Sequence, residues 1–186
     1  MSFWTDLQLP SEHEALVAFY DCRWLYQHAA NAGSVLSVMA IMAGYFALTG
    51  QIIKDAGGRL IKTMGDGGLV VFPAALADEA ILALREVQRR GAQWFAGHGT
   101  RIDVTVKMDM GMLAFGKVGS PGDEILDVFG KAIANAYLLP TTGLSVSPTV
   151  FRSLRPETRK LLKKHTPPIR YIALEDRHPR DRDLEV

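Results

Sequence analysis

Two aspartates stand at points of the chain where metal and phosphate chemistry would need them. Asp21 ends a compact apolar run that is typical of a buried strand, and Asp66 occupies a Gly-Asp-Gly turn between two further strand-like runs. If these strands lie close in one sheet, the carboxylates lie side by side and repel each other unless a cation lies between them. Mg²⁺ prefers oxygen ligands and commonly binds one or two carboxylates plus substrate phosphates. The pair is therefore a candidate metal site.

Each of these residues also has a structural explanation when it is taken alone. An aspartate in a Gly-Asp-Gly turn often serves the geometry of the turn, and an aspartate at a strand end often caps the next segment. Lys62 alone is typical of a solvated strand lysine, and Asp127 alone is typical of an acid at a strand edge. The functional interpretation depends on whether the fold brings these residues together.

The pattern of the chain predicts an α+β fold. Apolar periodicity and turn residues predict the order strand, helix, strand, strand, helix, strand, followed by additional C-terminal elements. That order indicates a ferredoxin-like βαββαβ sheet with helices on one face. The strands are predicted at 15–21, 59–64, 69–73, 101–110, 124–129, 144–147 and 169–174. The helices are predicted at 31–55, 76–95, 130–139, 148–154 and 156–164.

One predicted strand has a clear two-sided pattern. Along 101–110, apolar residues alternate with Arg101, Asp103, Thr105, Lys107 and Asp109. Side chains in a strand point alternately to opposite faces. We therefore expect a half-buried strand with one wetter face.

One predicted helix is apolar enough to suggest a membrane span. No Asp, Glu, Lys or Arg occurs from 24 to 53, and a span needs about 20 mostly apolar residues. Ser34, Ser37, Thr49 and Gln51 interrupt the segment, and no basic cluster flanks it as an orientation signal. The sequence favours a helix that faces protein on most sides over a transmembrane helix.

Composition limits the kind of protein. The chain has 186 residues, 48% of them hydrophobic and 22% charged, which suits one domain with a sizeable core. The net charge of +1 gives no reason to expect nucleic acid or a membrane surface as a partner. The only cysteine is Cys22, and the N-terminus does not resemble a secretory signal, so we expect a cytoplasmic location. We predict a leader at 1–14, a domain at 15–175 and a charged tail at 176–186.

Five short motifs together resemble a known family. They are FYD at 19–21, Gly57-Gly58, KTMGDGGLVVF at 62–72, KVGS at 117–120 and DVFG at 127–130. In this order and spacing they are similar to the catalytic domain of class III adenylate and guanylate cyclases, from about residue 15 to residue 152. The Gly-Asp-Gly segment is the most specific part of the resemblance.

The resemblance implies a specific site. Family members form head-to-tail dimers with active sites at the interface, so Asp21, Asp66 and the backbone carbonyl of Cys22 would bind Mg²⁺ or Mn²⁺ in one subunit. Lys62 and Asp127 of the other subunit would read the base. An ammonium can donate to adenine N1 and a carboxylate can accept from the adenine amine, which favours ATP over GTP.

The chain departs from the family pattern at three positions. The family carries asparagine seven residues and arginine eleven residues after the base-reading acid, where this chain has Ala134 and Leu138. Asn135 lies one place later, but one residue turns a helical side chain by about 100°. Trp24 replaces a small glycine in the loop that approaches the phosphates, and neighbouring Arg23 is either a substitute phosphate contact or a surface arginine.

Two functions from different classes follow from the resemblance and its departures. The first is a nucleotidyl cyclase of low activity that converts ATP, or another nucleotide, into a cyclic nucleotide and pyrophosphate. The second is a cyclase-like domain that binds nucleotide or only dimerises, as a regulatory module. A heterodimer with a chain that supplies the missing arginine would restore one site per dimer.

Overall fold

A computed structural model describes residues 3–22 and 34–176 of the chain. The strands are β1 (Ser11–Cys22), β2 (Arg59–Met64), β3 (Gly67–Pro73), β4 (Val104–Val118), β5 (Ile125–Phe129), β6 (Leu144–Val146), β7 (Leu162–His165) and β8 (Arg170–Ala173). The helices are α1 (Phe3–Asp6), α2 (Val35–Asp55), α3 (Ala77–Gly97), α4 (Lys131–Leu138), α5 (Pro148–Ser153) and α6 (Pro156–Arg159), with a 3₁₀ turn at Ala74–Leu76.

The strands form one sheet in the order β2-β3-β1-β4-β6-β8-β7, and β5 pairs with β4 outside this path. The first four strands of that order are joined by antiparallel ladders. This is the ferredoxin-like arrangement that the sequence predicts, and β6, β7 and β8 extend it as the additional C-terminal elements. The α+β fold class is confirmed.

Helices cover both faces of the sheet. The long helices α2 and α3 pack on the face that carries Leu16, Ala18 and Tyr20. The short helix α4 packs on the opposite face, which carries Val17 and Phe19 and which we call the α4 face. The prediction of helices on one face was therefore incomplete, because α4 returns across the other side of β1 and β4.

Strand β1 is buried on both faces. All six residues from Ala15 to Tyr20 are at most 9% exposed, which explains why the sequence reads as a continuous apolar run. The strand begins at Ser11, four residues before the predicted start, and pairs there with Phe115 of β4. The phenyl ring of Phe3 also contacts the Phe115 ring, with centroids 5.9 Å apart. Residues 3–14 thus include parts that pack against the sheet or pair within it.

The predicted wetter face of β4 is largely covered. The strand starts at Val104 and extends to Val118, and Thr105 and Asp109 on the predicted wet side are 5% and 3% exposed. They lie on the α4 face, and Asn135 of α4 donates to Asp109 Oδ2 over 2.9 Å. The polar alternation therefore marks residues that face a helix, because α4 shields this part of the sheet from water.

Helix α2 contacts the protein through one face only. Met42, Tyr45, Thr49 and Ile53 are its buried residues, at a spacing of three or four that forms one helical stripe. The helix is long and apolar enough to cross a membrane by length and composition, and 28% of its most apolar window is buried. The expectation of protein on most sides was wrong, since Val35, Leu36 and Met39 at its start are exposed.

The second predicted C-terminal helix ends early and is followed by a strand. Helix α6 ends at Arg159, and Leu162–His165 forms β7, which pairs antiparallel with β8. The Leu-Leu-Lys-Lys run has good helix formers, but Leu162 is buried in the core cluster opposite Ala173. Tertiary pairing thus overrides the local preference.

Candidate active site

Strand alternation and a tight hairpin bring Asp21 and Asp66 together. Asp21 follows Val17 and Phe19 at intervals of two, so it lies on the α4 face at the end of β1. Asp66 lies in the turn between β2 and β3, and β3 pairs with β1 up to Tyr20 opposite Gly68. The turn therefore passes the end of β1 next to Asp21.

The two glycines that flank Asp66 have different reasons to be glycine. Gly65 has a φ of 62°, in the left-handed region that favours glycine. Gly67 passes so close to β1 that a β-carbon there would overlap the Tyr20 carbonyl oxygen and lie 3.1 Å from Asp21 Oδ1. The Gly-Asp-Gly sequence thus fixes where the carboxylate of Asp66 lies relative to that of Asp21.

The electrostatics of the pair fit a divalent cation. Burial, followed by the negative charge of Asp21, raises the pKa of Asp66 to about 6, since both disfavour its charged form. A cation between them would remove this repulsion, and carboxylate oxygens suit Mg²⁺ or Mn²⁺. Within the described ranges, no three His, Cys, Asp or Glu side chains converge. The residues therefore fit an ion that takes its other ligands from backbone, water or substrate.

The side chain of Cys22 points away from this pair. Its thiol is buried in the cluster beneath α2, which also contains Tyr45. Burial raises the pKa of the thiol to about 12, which keeps it protonated. Only the backbone carbonyl of Cys22 remains as a ligand, as the resemblance implies.

A β-bulge places Lys62 on the face of Asp127. In the ladder between β2 and β3, Leu60 pairs with Val70 but Lys62 pairs with Leu69, so Ile61 is an extra residue. Leu69 belongs to the cluster under α4, and Lys62 opposite it therefore faces the same side. Its Nζ donates to Asp127 Oδ2 over 2.6 Å.

Both partners of this ion pair keep hydrogen-bonding capacity. The Lys62 side chain is 34% exposed, and an ammonium has three donors, of which Asp127 takes one. Asp127 is largely buried and its Oδ1 accepts from the backbone N–H of Val128. We call Lys62 and Asp127 the base-reading pair, after the role that the resemblance implies, and Asp21 and Asp66 the acid pair.

Two adjacent cavities are lined by one member of each pair, Asp21 and Lys62. The Asp21 cavity has a volume of about 410 Å³ and is also lined by Gly67, Thr105 and Lys107. The Lys62 cavity has a volume of about 440 Å³ and is mostly apolar. Phe19, Met64 and Tyr137 line both cavities. The Phe19 and Tyr137 rings meet edge to face, with centroids 5.6 Å apart.

The departures from the family pattern fall on α4. Ala134 lines the Lys62 cavity, so no polar side chain occupies the family's asparagine position. Asn135 does not replace it, because its amide donates to Asp109 and it lines neither cavity. Leu138 is 75% exposed. Arg23 and Trp24 lie outside the described residues.

Sequence reasoning missed two residues of the site, Tyr137 and Lys107. Tyr137 is an exposed aromatic on α4 whose only sequence signal is its position one residue before Leu138. The sequence does indicate Lys107, since the alternation along 101–110 predicts it on the wetter face of the strand. Its position opposite Phe19 brings it into the Asp21 cavity.

Comparison with known proteins identifies the fold. No family model matches the chain, and no curated protein matches it in sequence. A bacterial light-regulated adenylyl cyclase has a similar structure, with a TM-score of 0.76 at 18% identity over 94% of this chain and 56% of that one. The adenylyl cyclase CyaB from P. aeruginosa gives 0.75 at 15% identity, over 91% and 98% of the two chains. The guanylyl cyclase Cya2 gives 0.70 at 19% identity, over 91% and 96%.

The chain therefore has the fold of class III nucleotidyl cyclase catalytic domains. At identities of 15–19% the likeness concerns the fold. This chain spans about half the length of the light-regulated cyclase and nearly all of the other two chains. Adenylyl and guanylyl cyclases share this fold, so the fold alone does not select a base.

Proposed function

We propose that this chain is a divalent-cation-dependent nucleotidyl cyclase that acts on ATP. The 3′-hydroxyl oxygen of the ribose would form a bond to the α-phosphorus, and the bond from that phosphorus to the bridging oxygen of the β-phosphate would break. Pyrophosphate would leave, and the hydroxyl proton would pass to solvent. The observation that carries the proposal is the acid pair, held together at the end of β1 with Asp21 lining a cavity on the α4 face.

Asp21, Asp66 and the carbonyl of Cys22 are the groups that would hold the cation. A bound divalent cation lowers the pKa of the attacking hydroxyl and neutralises charge on the phosphates. The protein's own contribution is geometric, because the hairpin turn at Gly67 fixes both carboxylates against the end of β1. A site that is positioned in advance spends no reorganisation energy during the reaction.

The base-reading pair supports ATP as the substrate. The two free donors of Lys62 suit the N1 acceptor of adenine, and the carboxylate of Asp127 suits its exocyclic amine. Guanine presents an oxygen acceptor where Asp127 needs a donor. The mostly apolar Lys62 cavity suits the faces of a purine ring.

The surface around the cavities supports a head-to-tail homodimer. Large apolar side chains that border the Lys62 cavity are exposed: Met64 at 40%, Phe129 at 56% and Tyr137 at 63%. Adjacent Leu138 is exposed as well. Contiguous apolar surface with a polar rim is typical of a protein interface. In such a dimer, the base-reading pair of one protomer faces the acid pair of its partner.

Ala134 and Leu138 favour a second candidate function. Without a polar side chain at either position, the domain lacks the two α4 side chains that in the family orient the ribose and stabilise charge on the phosphates. Loss of one preorganised donor typically costs about 10² to 10³ in rate. The alternative is therefore a nucleotide-binding or dimerising module that regulates another protein.

The test is an incubation of the purified chain with ATP, GTP, CTP and UTP, each with Mn²⁺ or Mg²⁺, with cyclic products identified by mass spectrometry. Asp21→Asn and Asp66→Asn remove the charge of each carboxylate with little change in shape. Asp103→Asn is the matched control, because Asp103 is exposed and lies outside the candidate site.

We expect cyclic AMP from the wild type and from Asp103→Asn, and none above background from the two acid-pair variants. No cyclic product from any nucleotide, in a protein shown to be folded and dimeric, would refute the cyclase proposal and favour the regulatory module. A product that persists in both acid-pair variants would refute the assigned site.

A further inference from the structure

Lys107 places a positive charge in the Asp21 cavity. It lies on β4 opposite Phe19 of β1, two residues along the strand from Thr105, which pairs with Asp21. All four side chains lie on the α4 face, since cross-strand partners share a face. Lys107 is half-buried and lines the cavity together with Asp21 and Gly67.

The contacts of Lys107 leave most of its ammonium available. Nζ donates to the backbone carbonyl of Tyr137 over 2.9 Å and lies 5.5 Å from the centroid of the Tyr137 ring. Within residues 3–22 and 34–176, Lys107 forms no ion pair. An ammonium has three donors, so two remain for a ligand in the cavity.

This lysine lies next to the helix turn from which an arginine is missing. The carbonyl it binds belongs to Tyr137, and the next residue is Leu138, the position that carries arginine in the family pattern. The chain has no arginine between Gly130 and Pro140. The site therefore has a cation on the strand beneath the last turn of α4, and that turn itself carries none.

We propose that Lys107 contacts the phosphate chain of the nucleotide and supplies the positive charge that the helix position of Leu138 lacks. The inference rests on the proposed function, since it takes the ligand to be a nucleoside triphosphate. Its physical basis is the cavity, in which an ammonium with two free donors lies on the same sheet face as a carboxylate. A charge-assisted hydrogen bond to phosphate is among the stronger polar contacts in proteins.

Lys107 also has a structural role that the test must separate from phosphate binding. Its hydrogen bond satisfies the Tyr137 carbonyl in the last turn of α4, where the helix dipole favours a positive charge. Lys107→Gln keeps a donor for that carbonyl and removes the charge. Lys107→Arg keeps the charge, and Lys107→Met removes both charge and donor.

The probe is tripolyphosphate with Mg²⁺, and the affinity is measured by isothermal titration calorimetry on the full chain. We expect Lys107→Gln and Lys107→Met to weaken binding by at least about tenfold, and Lys107→Arg to remain within about threefold of the wild type. Leu138→Arg introduced into Lys107→Gln should recover most of the affinity. Lys54→Gln is the matched control, because Lys54 is exposed on α2, on the opposite face of the sheet, and its variant should bind like the wild type.

The outcomes separate this inference from the proposed function. Unchanged affinity in folded Lys107→Gln and Lys107→Met, or no binding by the wild type, overturns the role of Lys107. The role of Lys107 is also overturned if Lys107→Arg loses as much affinity as Lys107→Gln, because the positive charge would then not cause the binding. Binding that depends on Lys107 without any cyclic product would refute the cyclase reaction and leave the phosphate contact standing.

Discussion

At the end of β1, backbone geometry holds the acid pair in place. On α4, by contrast, Ala134 and Leu138 stand where the family pattern has asparagine and arginine. A β-carbon at Gly67 would overlap the Tyr20 carbonyl, so the turn that carries Asp66 has little freedom to move away from Asp21. Ala134 and Leu138 are both exposed on the surface of α4. The difference teaches that the sheet backbone fixes the positions of the acid pair, while the proposed nucleotide contacts on α4 depend on side chains alone.

The largest expected effect is on cation binding at the acid pair. Asp66→Asn should weaken Mn²⁺ binding by about a hundredfold, because one of two charged ligands is lost. Titration of Mn²⁺ followed by electron paramagnetic resonance measures this, with Asp103→Asn as the control. Equal Mn²⁺ affinity in wild type and Asp66→Asn would contradict this account, because Asp66 would then not be a ligand of the cation.

The second effect concerns the choice of base. Asp127→Asn replaces an acceptor by an amide that can also donate, which suits the O6 acceptor of guanine. We expect the ratio of ATP to GTP turnover to fall by about thirtyfold, the value of one lost charge-assisted hydrogen bond. Product formation from equal concentrations of both nucleotides measures the ratio. An unchanged ratio would show that Asp127 only anchors Lys62.

A smaller effect, an increase in turnover, is expected when arginine is introduced at position 138 of α4. Leu138→Arg should raise the turnover of ATP by about tenfold, less than the usual value of such a donor because Lys107 already supplies charge nearby. Leu138→Gln is the control, since it adds polarity without charge. A steady-state assay with ATP and Mn²⁺ compares the two variants. Equal rates in both would contradict the view that the site needs a positive charge at position 138.

The smallest effect is on stability. Gly67→Ala should lower the melting temperature by about 5 °C, because the hairpin must shift away from β1. Gly97→Ala is the control, since a β-carbon there meets nothing within 4 Å. Differential scanning calorimetry on both variants gives the comparison. A melting temperature of Gly67→Ala equal to that of the wild type would show that the turn is not tightly held.

The acid pair was predictable from the sequence and the orientation of Lys62 was not. An aspartate at the end of a buried strand and another in a hairpin turn meet wherever those strands are neighbours, and local pattern reports both features. The side that Lys62 faces depends on the bulge at Ile61, which no residue type signals. Burial of Asp109 depends on α4 crossing the sheet, and the strand at Leu162 depends on pairing with β8. The side that Lys62 faces, the burial of Asp109 and the strand at Leu162 all depend on pairing or packing between different elements, which a local sequence pattern does not report.

The central claim is that an acid pair and a base-reading pair from two protomers complete one cyclase site. The direct test combines two variants, Asp66→Asn and Lys62→Met, that should each be inactive. The chains are co-expressed with different tags and purified in tandem, so that only mixed dimers are assayed for cyclic AMP. In a mixed dimer of this symmetry, one site has both defects and the other has none.

The account predicts that mixed dimers recover about half of the wild-type activity, since one of two sites is intact. Each variant alone should stay near background in the same assay. Mixed dimers that remain inactive beside an active wild type would contradict the account, because the acid pair and the base-reading pair would then have to act within one chain.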